Sequence, residues 1–134
     1  MSNPLSNSSG ESVEPRLPLD LVDLRRDMRE ADLEDLVDEL LATFVQDAPG
    51  QLETLEAAIL AADASAVREA AHCYRSAART MRAGRLATVL LQLETAAQEG
   101  ALSTVPPDLM LRMRREHEAA LAQCQEALGS LYNS

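Results

Sequence analysis

The chain has 134 residues, 46% of them hydrophobic and 2% aromatic, and a formal net charge of −10 at pH 7. This length and apolar content suit a single domain with one core, and the scarcity of aromatic residues favours helices over β-sheet. The acidity argues against binding to nucleic acid or to an anionic membrane surface, because both require broad basic faces.

Cysteine usage and hydropathy predict the compartment. Cys73 and Cys124 lie far apart without metal-type spacing, which favours free thiols in a reducing environment. Neither a signal sequence nor an apolar run of about 18 residues is recognisable. We therefore expect a cytoplasmic protein that does not bind membranes and has neither a metal site nor a cofactor.

The N-terminal part of the chain changes character near residue 17. Residues 1–16 are rich in Ser, Asn, Pro and Gly without periodicity, which predicts a disordered tail. Residues 17–134 are expected to form the domain. Apolar residues between Leu17 and Met28 predict a short helix that covers the remaining helices.

A long amphipathic helix is predicted next, with Asp32 as its N-cap and apolar residues repeating at intervals of three and four from Leu33 to Ala62. Pro49 interrupts this segment, while the apolar phase continues beyond it. We favour one helix kinked at Pro49. Two helices, the second capped by Asp47, remain the alternative.

Three further helices complete the pattern. The first begins after Asp63 or Ser65 and ends near Gly84, the second spans about 85–99 and stops at Gly100, and the third runs from Pro106 or Pro107 to near Gly129. Four long helices with short connections predict an all-α, antiparallel up-down-up-down four-helix bundle with a short extra N-terminal helix.

The segment from Ala64 to Leu86 holds the candidate site. Its apolar stripe covers about 120° of the helix, so that His72 points away from the core. The stripe consists of Val67, Ala70, Ala71, Tyr74, Ala77, Ala78 and Met81. Arg68, Arg75 and Arg79 flank His72 on one side at helical spacings, and Glu69 and Ser76 lie on the other. By contrast, His117 is assigned to an exposed charged face. Cys73 is assigned to core or boundary packing.

An exposed imidazole among arginines suits phosphoryl chemistry. Neutral imidazole is a nucleophile near pH 7, and guanidinium groups contact phosphoryl oxygens in bidentate fashion. Phosphoryl transfer also requires a metal ion and an in-line carboxylate, which the sequence does not supply in any motif. We therefore expect an acidic, metal-loaded partner to supply them.

The run AAHCYRSAARTMRAGRLATVLLQLE, Ala70 to Glu94, resembles the histidine-containing phosphotransfer (HPt) domain family, whose usual pattern is approximately AHxLKGSAxxxGxxxLxxxxxxLE. The preceding segment, Leu40 to Asp63, is similar to the helix before that motif. The resemblance implies that His72 accepts and donates a phosphoryl group. Arg75 stands where the family usually has a lysine, and Ser76 and Arg82 replace two common glycines.

The resemblance implies a function in a two-component phosphorelay. His72 would carry a phosphoryl group to and from receiver-domain aspartates, with Arg68, Glu69, Arg75, Ser76 and Arg79 as the phosphate- and partner-binding residues. The partners would be response-regulator receiver domains, a hybrid histidine kinase, or both, and Mg²⁺ would belong to the receiver. The chain would not be an enzyme by itself. A non-catalytic adaptor of the same fold, which binds or sequesters a signalling partner, is the alternative.

Overall fold

The computed structural model describes residues 17–133, with side chains described through residue 129. The predicted tail, residues 1–16, lies outside this part of the chain. Five α-helices occur in the described range: α1 (Leu21–Glu30), α2 (Val37–Leu60), α3 (Ala64–Thr80), α4 (Gly84–Gln98) and α5 (Pro107–Asn133). Single turns of 3-10 helix at Glu34–Leu36 and Leu102–Thr104 precede α2 and α5.

Helices α2 to α5 form the predicted bundle. Each packs against its neighbour in the sequence, and α2 also packs against α5, which closes the four-helix arrangement. Short connections between contacting helices make successive helices antiparallel. The apolar stripes meet in one core, to which Leu41, Leu55, Tyr74, Leu90 and Met113 contribute fully buried side chains. No helix within residues 17–133 has the length and apolarity needed to cross a bilayer.

Helix α2 runs through Pro49 as a single element, so the prediction of one helix instead of two is confirmed. The predicted start of the helix is wrong. Asp32 is not its N-cap but adopts a left-handed conformation, with φ of 61°, and the α-helix begins five residues later at Val37. The side chains of Leu33 and Leu36, assigned to the apolar face, are consequently exposed.

The ends of α1 to α4 share one hydrogen-bonding pattern. At each end, a residue with positive φ is followed by a residue whose N–H donates to a carbonyl five positions earlier, as in Leu33 to Met28 at 2.7 Å and Ala83 to Ala78 at 2.8 Å. The residues with positive φ are Asp32, Ala62, Arg82 and Gly100. Only the last of these is a glycine, although glycine is the usual residue in this conformation.

The predicted end of α3 shifts for this reason. Helix α3 does begin after the predicted cap, since the Asp63 carboxylate accepts from the Ala66 N–H at 3.1 Å. It ends at Thr80 because the chain turns at Arg82, and Gly84 starts α4 instead of ending α3. The last helix also ends later than predicted, since α5 continues through Gly129 to Asn133.

Helix α1 covers the bundle, as predicted, but begins at Leu21 with Asp20 as its N-cap. Leu19 and Leu24 are buried in the common core. The Gln123 side chain on α5 both accepts from the Leu19 N–H at 2.8 Å and donates to the Leu19 carbonyl at 3.1 Å. These contacts hold the segment before α1 against the last helix.

Arg82 provides the second attachment of α1. Its Nε donates to Asp23 at 2.8 Å and its Nη2 donates to Asp27 at 2.6 Å, one helical turn further along α1. These hydrogen bonds raise the pKa of Arg82 and lower that of Asp23. Arg82 thus joins α1 to the α3–α4 turn while holding a backbone conformation that disfavours its own side chain.

Comparing Arg82→Ala with Arg82→Gly separates these two effects. Both substitutions remove the ion pairs, but only glycine relieves the strain of the left-handed backbone. We expect the glycine variant to exceed the alanine variant in free energy of unfolding by about 1 kcal/mol, measured by urea titration. An alanine variant equal to or more stable than the glycine variant would contradict this account of the turn.

His117 is buried rather than exposed, so its predicted location was wrong. It lies four residues after Met113 and three before Ala120, on the buried face of α5. The Tyr74 hydroxyl and Nδ1 of His117 form a hydrogen bond of 2.5 Å, and the two rings meet edge to face. Burial lowers the pKa of His117 and raises that of Tyr74 above its usual range.

Stability should therefore fall as the pH drops below about 6.5, because His117 takes up a proton in the unfolded chain before it does so in the folded protein. Within that window, this one group contributes at most about 1.4 kcal/mol per pH unit. We expect urea unfolding of the His117→Gln variant to show a shallower dependence on pH between about 7.5 and 5.5. Equal slopes in the variant and the parent protein would exclude His117 as the source.

Candidate functional site

His72 lies near the middle of α3, on the face opposite the core. The residues that anchor this helix are small or apolar and fully buried, including Val67, Ala71 and Ala78. The imidazole, in contrast, exposes 57% of its side-chain surface. The predicted outward direction of His72 is thus confirmed, and the ring is open to a second protein.

Glu94 of α4 holds both His72 and Arg75. One carboxylate oxygen, Oε2, lies 3.0 Å from His72 Nδ1, and the other, Oε1, accepts from Arg75 Nε at 2.8 Å. Since a carboxylate only accepts hydrogen bonds, the 3.0 Å contact requires a proton on Nδ1. In the neutral ring, the lone pair is then on Nε2.

The charges around this carboxylate are balanced. Arg75, with 17% of its side chain exposed, lowers the pKa of Glu94, and His72 adds to the effect while partial burial opposes it. Ionised Glu94 therefore stabilises the fold above the ordinary pKa of a glutamate, and this contribution is lost as the pH falls through the lowered value. Arg75 Nη2 lies 3.4 Å from His72 Nδ1, which places a guanidinium edge beside the ring.

The other predicted site residues share the exposed face of α3. Arg68, Glu69, Ser76 and Arg79 all have exposed side chains. Within the described part of the chain, no hydrogen bond or ion pair engages the guanidinium groups of Arg68 and Arg79. Helical spacing places both on the same flank of His72 as Arg75, so three cations border the ring while only Arg75 is neutralised by a carboxylate.

Sequence reasoning did not assign a role to Glu94. The sequence feature that could have identified Glu94 is its position on α4, one residue after buried Leu93 and four after buried Leu90. This position lies at the edge of the apolar stripe. The antiparallel packing of α3 and α4 then brings it opposite His72. Among the residues the structure describes, no group of three or more His, Cys, Asp or Glu could hold a metal ion.

Cys73, which was assigned to core or boundary packing, is exposed, whereas Cys124 is buried, and both are free thiols. Burial raises the pKa of Cys124 to about 11, so this thiol stays protonated at neutral pH. Arg82 and Arg85 lie at the adjoining ends of α3 and α4. They pair with acids on other helices, Arg82 with α1 and Arg85 with Glu116 of α5 at 2.9 Å.

Comparison with known proteins identifies the family. The Hpt domain family matches residues 39–129, a range that includes His72, Arg75 and Glu94. The crystal structure of histidine-containing phosphotransfer protein B from Pseudomonas aeruginosa PAO1 is similar, with a TM-score of 0.76 and 31% sequence identity over 87% of this chain and 98% of that one. A search of curated proteins found no significant match. The family match over most of the sequence and the likeness in structure show that this chain belongs to the Hpt domain family.

Proposed function

We propose that the protein is a phosphoryl carrier in a two-component phosphorelay, with His72 as the residue that carries the group between receiver-domain aspartates. The observation that supports this most directly is the contact between His72 Nδ1 and Glu94. This contact holds the proton on Nδ1 and leaves the lone pair on Nε2 of the neutral ring. The side chain is exposed to a partner.

The transfer follows from this arrangement. The Nε2 lone pair attacks the phosphorus of an aspartyl phosphate, the N–P bond forms, the P–O bond breaks, and the aspartate leaves as a carboxylate. The ring gains positive charge as the N–P bond forms. Glu94, which accepts the Nδ1 proton in a hydrogen bond, stabilises that charge. The reverse reaction returns the group to an aspartate and restores neutral His72.

Arg75 is placed to contact the transferred group. Its Nε is held by Glu94 and its Nη2 lies 3.4 Å from the ring, so the remaining guanidinium N–H groups can donate to phosphoryl oxygens on His72. Arginine at this position keeps the positive charge expected from the family pattern. The residue is a positioning and phosphate-binding group, while His72 alone forms the covalent bond.

Arg68 and Arg79 provide the attraction between the proteins. Both are exposed and unpaired within the described residues, in a chain whose net charge is −10. The aspartate pocket of a receiver domain is acidic, so a local positive strip around His72 raises the association rate and orients the encounter. Ser76 lies beside the ring on the other flank, where its small side chain leaves room for the approach of the receiver.

The partners are receiver domains of response regulators, a hybrid histidine kinase, or both. The phosphoryl group arrives on the partner's aspartate, and the Mg²⁺ that neutralises it there belongs to the partner. The protein is thus a carrier regenerated in each cycle and not an enzyme by itself. The acidic composition and the likeness to a phosphotransfer protein support a cytoplasmic location, with neither nucleic acid nor membrane as a ligand.

Incubation with phosphorylated receiver domains and Mg²⁺ tests the role of His72. We expect transfer of an acid-labile radioactive label to the protein, as phosphohistidine requires, and loss of that label in the His72→Gln variant. The His117→Gln variant is the matched control, because it removes the only other histidine in the sequence from a buried position. It should still accept label. Label that persists in His72→Gln, or a protein that no receiver can label, would refute the proposed function.

The Glu94 contact predicts a tautomer that nitrogen NMR can observe. In the parent protein, the long-range ¹H–¹⁵N spectrum of neutral His72 should show the proton on Nδ1. Glu94→Ala should give a mixture of tautomers and slower transfer, whereas Glu94→Gln, whose carbonyl can still accept from Nδ1, should retain the tautomer. Arg79→Ala should leave the tautomer unchanged. Identical spectra for the parent and Glu94→Ala would show that Glu94 does not set the proton position.

A further inference from the structure

A groove of about 690 Å³ lies between α2 and α3, on the side of His72 opposite the arginines. Its rim carries the carboxylates of Asp47 and Glu69, and Gly50 and Ala70 are among the small residues that line it. Because these small side chains leave space between the two helices, the groove is large enough to receive a side chain from another protein. The exposed thiol of Cys73 also lines it.

The groove continues the proposed phosphotransfer face. Glu69 precedes His72 by one helical turn and Cys73 follows it directly, at rotations of about 60° and 100° to one side of the ring. Arg68, Arg75 and Arg79 lie within about 60° on the other side. The surface around His72 therefore carries charges of both signs, with cations on one flank and carboxylates on the other.

The polar groups of the groove indicate which chemistry it would accept. Gln51 lines the groove together with Asp47 and Glu69. Its side-chain Oε1 is buried within the groove lining and has no hydrogen-bond donor among the described residues. Neither Asp47 nor Glu69 forms an ion pair within that part of the chain. Two unpaired carboxylates that line one groove are complementary to a group that donates several hydrogen bonds and carries positive charge.

We propose that this groove receives an arginine or lysine side chain of the receiver-domain partner, and that it thereby fixes the orientation in which the partner docks on His72. The inference rests on the proposed function and adds a second electrostatic contact. In this contact the protein supplies the negative charge, whereas at Arg68 and Arg79 it supplies the positive charge. A receiver domain rotated about His72 would bring like charges together on both flanks, so a surface with both positive and negative charges selects one orientation. It also disfavours partners that lack the arginine or lysine.

The double variant Asp47→Asn/Glu69→Gln tests this contact. We expect its kcat/KM for phosphoryl transfer from a phosphorylated receiver domain to fall about tenfold at low salt, with a smaller difference at high salt. The control is Glu53→Gln/Glu126→Gln, which removes the same charge from exposed positions that do not line the groove. Labelling of His72 by phosphoramidate, which needs no docking, should be equal in all three proteins.

The partner residue can be located in the same assay. Each exposed arginine or lysine around the receiver's phosphorylated aspartate is replaced by alanine, and transfer is measured to the parent protein and to the groove variant. One substitution should abolish the difference between these two acceptors, as expected for residues in direct contact. If no substitution does so, or if the groove variant transfers like the control, the inference is wrong although the proposed function stands.

Cys73 reports whether the groove is covered. A thiol reagent such as dithionitrobenzoate should modify Cys73 in the free protein, while Cys124 is buried and unreactive. A saturating unphosphorylated receiver domain should slow this reaction at least about tenfold if it occupies the groove. Unchanged reactivity of Cys73 in the complex would overturn the proposal. Protection that depends only on the concentration of this protein would also overturn it, because it would indicate that a second copy covers the groove. Failure of every receiver to label the parent protein would instead refute the proposed function itself.

Discussion

The tight turn between α3 and α4 determines the geometry of the site. Only three residues, Met81 to Ala83, connect the two helices, and their path is set by the left-handed conformation of Arg82. A connection this short leaves one antiparallel register in which the two apolar stripes face the core together. In that register Glu94 lies opposite His72, more than three turns from the connection. The hydrogen bond that fixes the imidazole therefore depends on a backbone conformation ten residues away.

Helix α1 holds the α3–α4 turn in place. A residue other than glycine at positive φ is disfavoured, and such a conformation persists where surrounding contacts determine it. Here Asp23 and Asp27 bind the side chain of Arg82, and the Arg82 carbonyl accepts from the Asp20 N–H at 2.9 Å. The arginine is thus tied to α1 through both its side chain and its backbone. Replacing the glycine common at this position gives the protein a link between α1 and the hairpin that glycine could not make.

The sequence carries strong information about which residues are buried and weaker information about where helices stop. Apolar periodicity extends over many residues, so one misplaced position does not hide it, and it correctly placed the core face of α3 and the outward direction of His72. Helix ends depend on single backbone conformations. Asp32 and Arg82 reach positive φ without glycine, and at Arg82 the contacts with α1 outweigh the local preference. His117 was misread for a different reason, since its charged neighbours obscured its place in the buried phase of α5.

The contact that orients His72 could not be read from local sequence either, because it joins residues 22 positions apart and depends on helix register.

Once that register is known, the arginines separate into two groups. Arg75, Arg82 and Arg85 form ion pairs between helices and are partly buried, whereas Arg68 and Arg79 are exposed without a partner in the described residues. The paired arginines gain contacts on folding and so contribute to the fold. Exposed, unpaired cations contribute little to stability, and in a strongly acidic chain they reduce the repulsion that an acidic partner would meet. Their position beside a nucleophilic nitrogen is consistent with a surface that serves association rather than folding.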